Sequence, residues 1–179
     1  MSLTLQPTMF ADAWLLSFPP IVDARGFFRR TFCADGLAVH GLETRFAQHS
    51  MSYSPSMGTL RGLHYQRDPH DEVKIVRCIA GEIFDVIVDL RPGSPTYRRW
   101  QGFHLSRENG LQLYVPKGFA IGFQSLTPNV EVAYMISTRY EPSAATGVRF
   151  DDPAFGIDWP LPVTLILERD RSWPDFAGA

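Results

Sequence analysis

A chain of 179 residues, 45% hydrophobic and 20% charged, has an ordinary globular composition and is long enough to bury about two thirds of its unfolded surface. This excludes a largely disordered chain and predicts a single domain over residues 1–179. A formal charge of −2 lacks the basic excess that nucleic acid or a membrane surface attracts, which leaves small-molecule chemistry open.

The N-terminal stretch carries no positive charge ahead of an apolar run, and no apolar run reaches bilayer-spanning length, so a cytoplasmic location is expected. Fourteen Gly and fourteen Pro punctuate short runs rich in Val, Ile, Phe and Tyr, and no stretch sustains a capped helical period. That pattern is all-β. In chain order, strands are predicted over residues 27–32, 45–53 and 59–66. A hairpin follows over 73–91, turning at Ala80 and Gly81, where glycine supplies the positive φ. In its second strand Phe84, Val86, Val88 and Leu90 share a core face, while Ile83, Asp85, Ile87 and Asp89 share a face expected to be partly wet. Further strands are predicted over 98–106, 111–116, 121–126, 130–138 and 163–167, with turns at 91–95, 116–118 and 126–129 and a surface loop at 141–147. So many strands must close or pair as two sheets, because open edges invite aggregation, and a jelly-roll barrel with short helical turns fits best. Cys33 and Cys78 have no metal-ligand spacing and read as buried free thiols.

A metal centre in a small barrel needs clustered histidines with a carboxylate. Here Gln66 stands two residues after His64, and Ile121 occupies the place of a later ligand, so a metal is disfavoured. His40, His49, His70 and His104 are scattered and read as surface or partly buried side chains. What stands out is His64 near two cations, Arg61 and Lys74. Protonating an imidazole there would add like charge, which keeps it available as a base. Such a base needs an orienting carboxylate and a proton donor from elsewhere. Alternation over 130–138 puts Tyr134 on an apolar inner face, either as a core tyrosine or as that donor. Asp170 follows an apolar run, either as a solvated strand end or as the carboxylate. Arg61 and His64 fall on opposite faces of a regular strand, so both reach one pocket only if Gly62 introduces a bulge or kink.

The stretches DARGFF (23–28), GTLRGLHYQ (58–66), VDLRPGSPTY (88–97), LYVPKGFAIGF (113–123), AYMISTRY (133–140), DDPAFGIDWP (151–160) and LERD (167–170) together resemble the sugar-nucleotide epimerases typified by dTDP-4-dehydrorhamnose 3,5-epimerase, of the cupin fold. The resemblance implies a base at His64, its orienting carboxylate at Asp170, a tyrosine acid at Tyr134, a lysine near the substrate keto oxygen at Lys74 and a substrate-binding Arg61. It implies nucleotide contacts at Arg25, Phe28 and Gln48, no cofactor and no metal. It also implies a homodimer whose N-terminal segment crosses to the partner's barrel. The family usually carries Glu where Arg30 stands, Asn at Ser50, Gln at Glu72, His at Ile121 and Glu near Ala145, mostly at nucleotide- and diphosphate-binding positions. The implied function is epimerisation beside the keto group of a nucleoside-diphosphate 4-keto-6-deoxyhexose. Inversion of one carbon, a nucleotide other than thymidine, or a catalytically silent sugar-nucleotide-binding cupin are the alternatives these departures open.

Overall fold

The computed structural model describes residues 2–178. Strands β1 (Thr4–Pro7), β2 (Trp14–Ser17), β3 (Ile21–Asp23) and β4 (Gly26–Phe28) precede the short helix α1 (Ala34–Ala38). Then come β5 (Gln48–Ser54), β6 (Leu60–Gln66), β7 (Lys74–Ala80), β8 (Glu82–Asp89), β9 (Trp100–Ser106), β10 (Gln112–Val115), β11 (Phe119–Ser125), β12 (Val130–Ile136) and β13 (Ala145–Gly147). A one-turn helix, α2 (Glu168–Arg171), follows. One sheet runs β1-β2-β10-β7-β12-β5 and the other β13-β6-β11-β8-β9, while β3 and β4 pair only with each other. All the pairings between these strands are antiparallel.

The two large sheets face each other across one apolar cluster. Val76, Cys78, Leu113, Val115, Val130 and Val132 of the first meet Ile83, Ile87, Phe103, Leu105, Phe119 and Phe123 of the second, giving the jelly-roll barrel its interior. Leu63, Val86, Val88, Leu90 and Ala120 lie on the outer face of the second sheet, covered by Val148 and Phe155 of the C-terminal segment. Leu37 of α1 packs on the outer face of the first sheet with Leu16, Ile75 and Tyr114.

The hairpin of β7 and β8 turns at Gly81, with φ of +73°, as expected. The expectation of a partly wet second face in β8 is overturned: Ile83, Asp85, Ile87 and Asp89 are all fully buried. Ile83, Asp85 and Ile87 face the barrel interior, and the face that carries Val86 and Val88 packs outside it, so β8 is covered on both sides. Alternation alone could not show this, since from Asp85 to Asp89 both faces of the strand are buried.

Other expectations shift locally. The strand expected over 27–32 stops at Phe28. The run at 163–167 makes only an isolated parallel bridge from Leu165 to Thr59, because the prolines at 160 and 162 remove ladder donors just before it. Strands β1, β2 and β3 precede the first predicted strand, and residues 145–147 of the expected loop pair with β6. Cys78 is buried as expected, whereas Cys33 is only half-buried. Among the described residues no helix is long and apolar enough to cross a membrane.

Candidate active site

Strand β6 carries Arg61 and His64 on either side of an irregularity. Against β11, His64 pairs with Ile121 and Arg61 with Phe123, so three steps along β6 match two along its partner. Gly62 is the extra residue. Its φ is +117°, and a Cβ there would lie 2.6 Å from the Gly122 Cα and 2.8 Å from the Ile121 carbonyl oxygen. Only glycine satisfies both the backbone angle and the close approach. The bulge turns Arg61 and His64 toward one cavity, as the sequence required of it.

Asp170 reaches that cavity from the far end of the chain. The Leu60 N–H donates to the Leu165 carbonyl at 2.8 Å, laying the C-terminal segment along the start of β6, and α2 then curls over Gly62. Asp170 is buried rather than a solvated strand end. Its Oδ1 lies 2.7 Å from His64 Nε2, and its Oδ2 accepts the Gly62 N–H at 3.2 Å. Burial pushes the Asp170 carboxyl up, but the His64 hydrogen bond and charge, the Gly62 N–H and Arg169 outweigh it and hold the group below the ordinary carboxylate value. An ionised Asp170 accepts the hydrogen on Nε2, which leaves Nδ1 as the basic nitrogen of the imidazole. Arg169 stands beside the pair, its Nη2 3.4 Å from His64 Nε2.

The opposite wall belongs to the other sheet. Tyr134 of β12 points inward, with its hydroxyl 3.0 Å from Ser52 Oγ of β5. Burial pushes this phenol well above its ordinary value; Ser52 opposes that, Asp85 adds to it and Arg61 lessens it, so the hydroxyl keeps its proton. Lys74 of β7 pairs with Glu72 at 2.8 Å, and Glu72 in turn accepts the Gln66 side-chain amide at 2.8 Å. Arg61 donates to Ser54 Oγ and to the Tyr53 carbonyl, which fixes the guanidinium at the rim.

His64, Asp170, Tyr134, Lys74, Arg61 and Ile121 thus line one cavity of about 300 Å³, together with Asp85, Ser52 and Arg169. A neighbouring cavity of about 200 Å³ shares His64, Lys74 and Arg169 and adds Gln48, Glu72, Tyr140 and Ala145. Ser50 lines a separate hollow that includes Tyr134 but not His64. Arg25, Phe28 and Arg30 lie outside all of these. Arg25 pairs with Asp23 on an exposed hairpin, Phe28 is 67% exposed, and Arg30 Nη1 lies 3.8 Å from Cys33 Sγ. Sequence reasoning missed Asp85, Ser52 and Arg169. Position within strand 82–89 is the signal that could have found Asp85, which alternates with Ile83 and Ile87. Among the described residues no three His, Cys, Asp or Glu side chains converge as a metal-ligating group.

A family model described as dTDP-4-dehydrorhamnose 3,5-epimerase matches residues 7–178. The chain is 42% identical over 170 residues to the dTDP-4-dehydrorhamnose 3,5-epimerase of Sinorhizobium fredii, covering 94% of this chain and 87% of that one. Its fold superimposes with a TM-score of 0.95 on the Bacillus anthracis enzyme of the same name, solved with TDP and PPi bound, at 39% identity over 98% of this chain and 100% of that chain. The Legionella pneumophila dTDP-6-deoxy-D-glucose-3,5-epimerase, in complex with dTDP-4-keto-L-rhamnose, gives a TM-score of 0.88 and 38% identity, covering 94% of this chain and 89% of that chain. Sequence and fold agree across almost the whole length, and the chain belongs to the dTDP-4-dehydrorhamnose 3,5-epimerase family of sugar-nucleotide epimerases.

Proposed function

We propose that the chain epimerises a dTDP-linked 4-keto-6-deoxyhexose at carbons 3 and 5. One observation carries this reading: an imidazole 2.7 Å from a buried carboxylate stands on one sheet, while a protonated phenol projects from the facing sheet into the same cavity. A sugar ring inserted between the sheets offers one face to His64 and the other to Tyr134. The keto group acidifies the hydrogens on its two neighbouring carbons. His64 Nδ1 takes one, the electron pair moves onto the keto oxygen as an enolate, and the phenol returns a proton from the opposite side, which inverts the carbon. Lys74 lines the cavity as a cation for the enolate oxygen, and Glu72 holds its ammonium in place. Asp170 orients the imidazole and stabilises its charged form.

Relatives carrying TDP or a dTDP sugar support the nucleotide, and Gln48 beside Tyr140 supplies a polar and an aromatic group on the route out of the cavity. Arg25 and Phe28 line neither the cavity that holds His64 and Tyr134 nor its neighbour. We assign them to the nucleotide site of a second copy, in a homodimer that exchanges its N-terminal hairpin. Ile21, Val22, Phe27 and Phe28 on that isolated hairpin are 56%, 73%, 55% and 67% exposed, which is the surface such an exchange would cover.

The test is incubation of dTDP-4-keto-6-deoxyglucose with the protein in deuterated water, followed by NMR. Deuterium is expected at carbons 3 and 5, lost in His64→Ala and strongly slowed in Tyr134→Phe. Label at one carbon only would reduce the activity to a single-carbon epimerase, and undiminished exchange in His64→Ala would overturn the assigned base.

A further inference from the structure

Asp85 has no part in the chemistry so far, and its surroundings are unusual. Alternation along β8 sends its side chain into the barrel between Ile83 and Ile87, and the residue is fully buried. Neither carboxyl oxygen has a hydrogen-bond partner, and among the described residues it is the only side chain with both polar atoms buried and unmatched. The Val86 N–H exerts a pull on the carboxyl but meets neither oxygen at hydrogen-bonding geometry. Both oxygens belong to a residue that lines the cavity holding His64, Lys74, Tyr134 and Asp170.

An ionised carboxylate with no donor is among the least tolerable buried groups, so the neutral acid is the form this environment accepts. The charged and titratable groups facing it are Lys74 from β7, Tyr134 from β12, Arg61 and His64 from β6, and Asp170 and Arg169 from the C-terminal segment. Lys74 is the cation that acts on it, yet the Lys74 ammonium is already committed to Glu72 at 2.8 Å. Burial, first, pushes the Asp85 carboxyl well above its ordinary value, against the weaker pull of Lys74. A neutral carboxylic acid carries one O–H, and a buried donor calls for an acceptor. None of the described residues supplies one, so the acceptor belongs to the ligand.

We propose that Asp85 is a protonated acid that donates a hydrogen bond to the substrate keto oxygen and, more strongly, to the enolate that oxygen becomes. The assignment rests on the epimerase reading given above. No proton is transferred: the hydrogen stays on Asp85 while charge develops on the oxygen. With Lys74 it forms a two-donor site, one charged and one neutral. Being unhydrated and fixed, the neutral donor gains most when the acceptor turns anionic, so its contribution falls on the transition state rather than on substrate binding.

Infrared difference spectra of wild type against Asp85→Asn at neutral pH test the protonation state directly. The carbonyl stretch of a carboxylic acid, present in wild type and missing in the variant, is expected; a carboxylate band in its place overturns the proposal. Kinetics test the donor. Asp85→Asn keeps an N–H and should hold kcat to within about tenfold, whereas Asp85→Leu, which has no donor, should lose on the order of 10²–10³ in kcat with KM little changed. Asp85→Ala serves the same comparison if the leucine variant does not fold. Equal activity of the donor and donor-free variants sinks the assignment. Failure of the epimerase reading is distinguished by wild-type protein that exchanges no deuterium into the sugar, an outcome that leaves the infrared band unaffected.

Discussion

His64 and Asp170 lie 106 positions apart and yet share a 2.7 Å contact, so the imidazole owes its orientation to a residue in a distant segment. Replacing Asp170 with Asn removes the fixed tautomer and the stabilisation of the imidazolium, and kcat should fall on the order of 10²–10⁴ with the fold retained. Circular dichroism alongside the exchange assay checks both halves of that statement. The same carboxyl sets part of the acid sensitivity. Its folded value lies below the unfolded one, so its contribution is fully present above the ordinary carboxylate range and is lost as pH falls through the folded value. Thermal melts from neutral pH downward should therefore show a smaller acid-induced loss in Asp170→Asn than in wild type. An identical loss in the two proteins would mean that Asp170 is not ionised through its contact with His64.

At the scale of elements, the β6 bulge decides whether base and arginine share a cavity. Gly62→Ala places a Cβ against the Gly122 Cα and the Ile121 carbonyl at a φ of +117°, and should cost at least about 2 kcal/mol by urea titration. Activity should drop further than stability alone explains, because His64 and Arg61 no longer converge. The connection after β8 depends on a different device. The Asp89 carboxylate accepts from Arg91, Ser94 and Thr96 and is fully buried. Burial would raise its pKa, but these donors prevail and lower it to about 2. Asp89→Asn should cost about 2–3 kcal/mol at neutral pH. Because the folded value is the lower one, that stabilisation fades as pH falls from about 4 toward 2, and the wild-type and variant stability curves should converge there. Curves that stay parallel would show that Asp89 contributes through shape rather than charge.

For the molecule as a whole, the proposed exchange of the exposed β3–β4 hairpin between two copies is open to direct test. A monomer in light scattering at micromolar concentration would remove the exchanged-hairpin dimer. The sharper test mixes two inactive variants, His64→Ala and Arg25→Ala. If the hairpin acts in trans, half of the randomly formed dimers are mixed and each holds one intact site, so about a quarter of wild-type activity should return. Absence of any recovery after subunit exchange would place Arg25 with its own chain.

Local pattern determined a good deal here. Punctuation by Gly and Pro together with period-two runs marks the all-β class and the turn at Gly81, and alternation over 130–138 turns Tyr134 inward. The RGLHYQ stretch marks the histidine and the glycine that must bend its strand. These are properties of neighbouring residues, which φ, side-chain direction and turn chemistry dictate within a few positions. Burial on both faces of β8, the helical turn that carries Asp170 and the isolation of Asp85 from any donor were decided only by tertiary structure. Each depends on what a distant segment lays against the strand, and neither periodicity nor composition encodes the company a side chain keeps across a barrel.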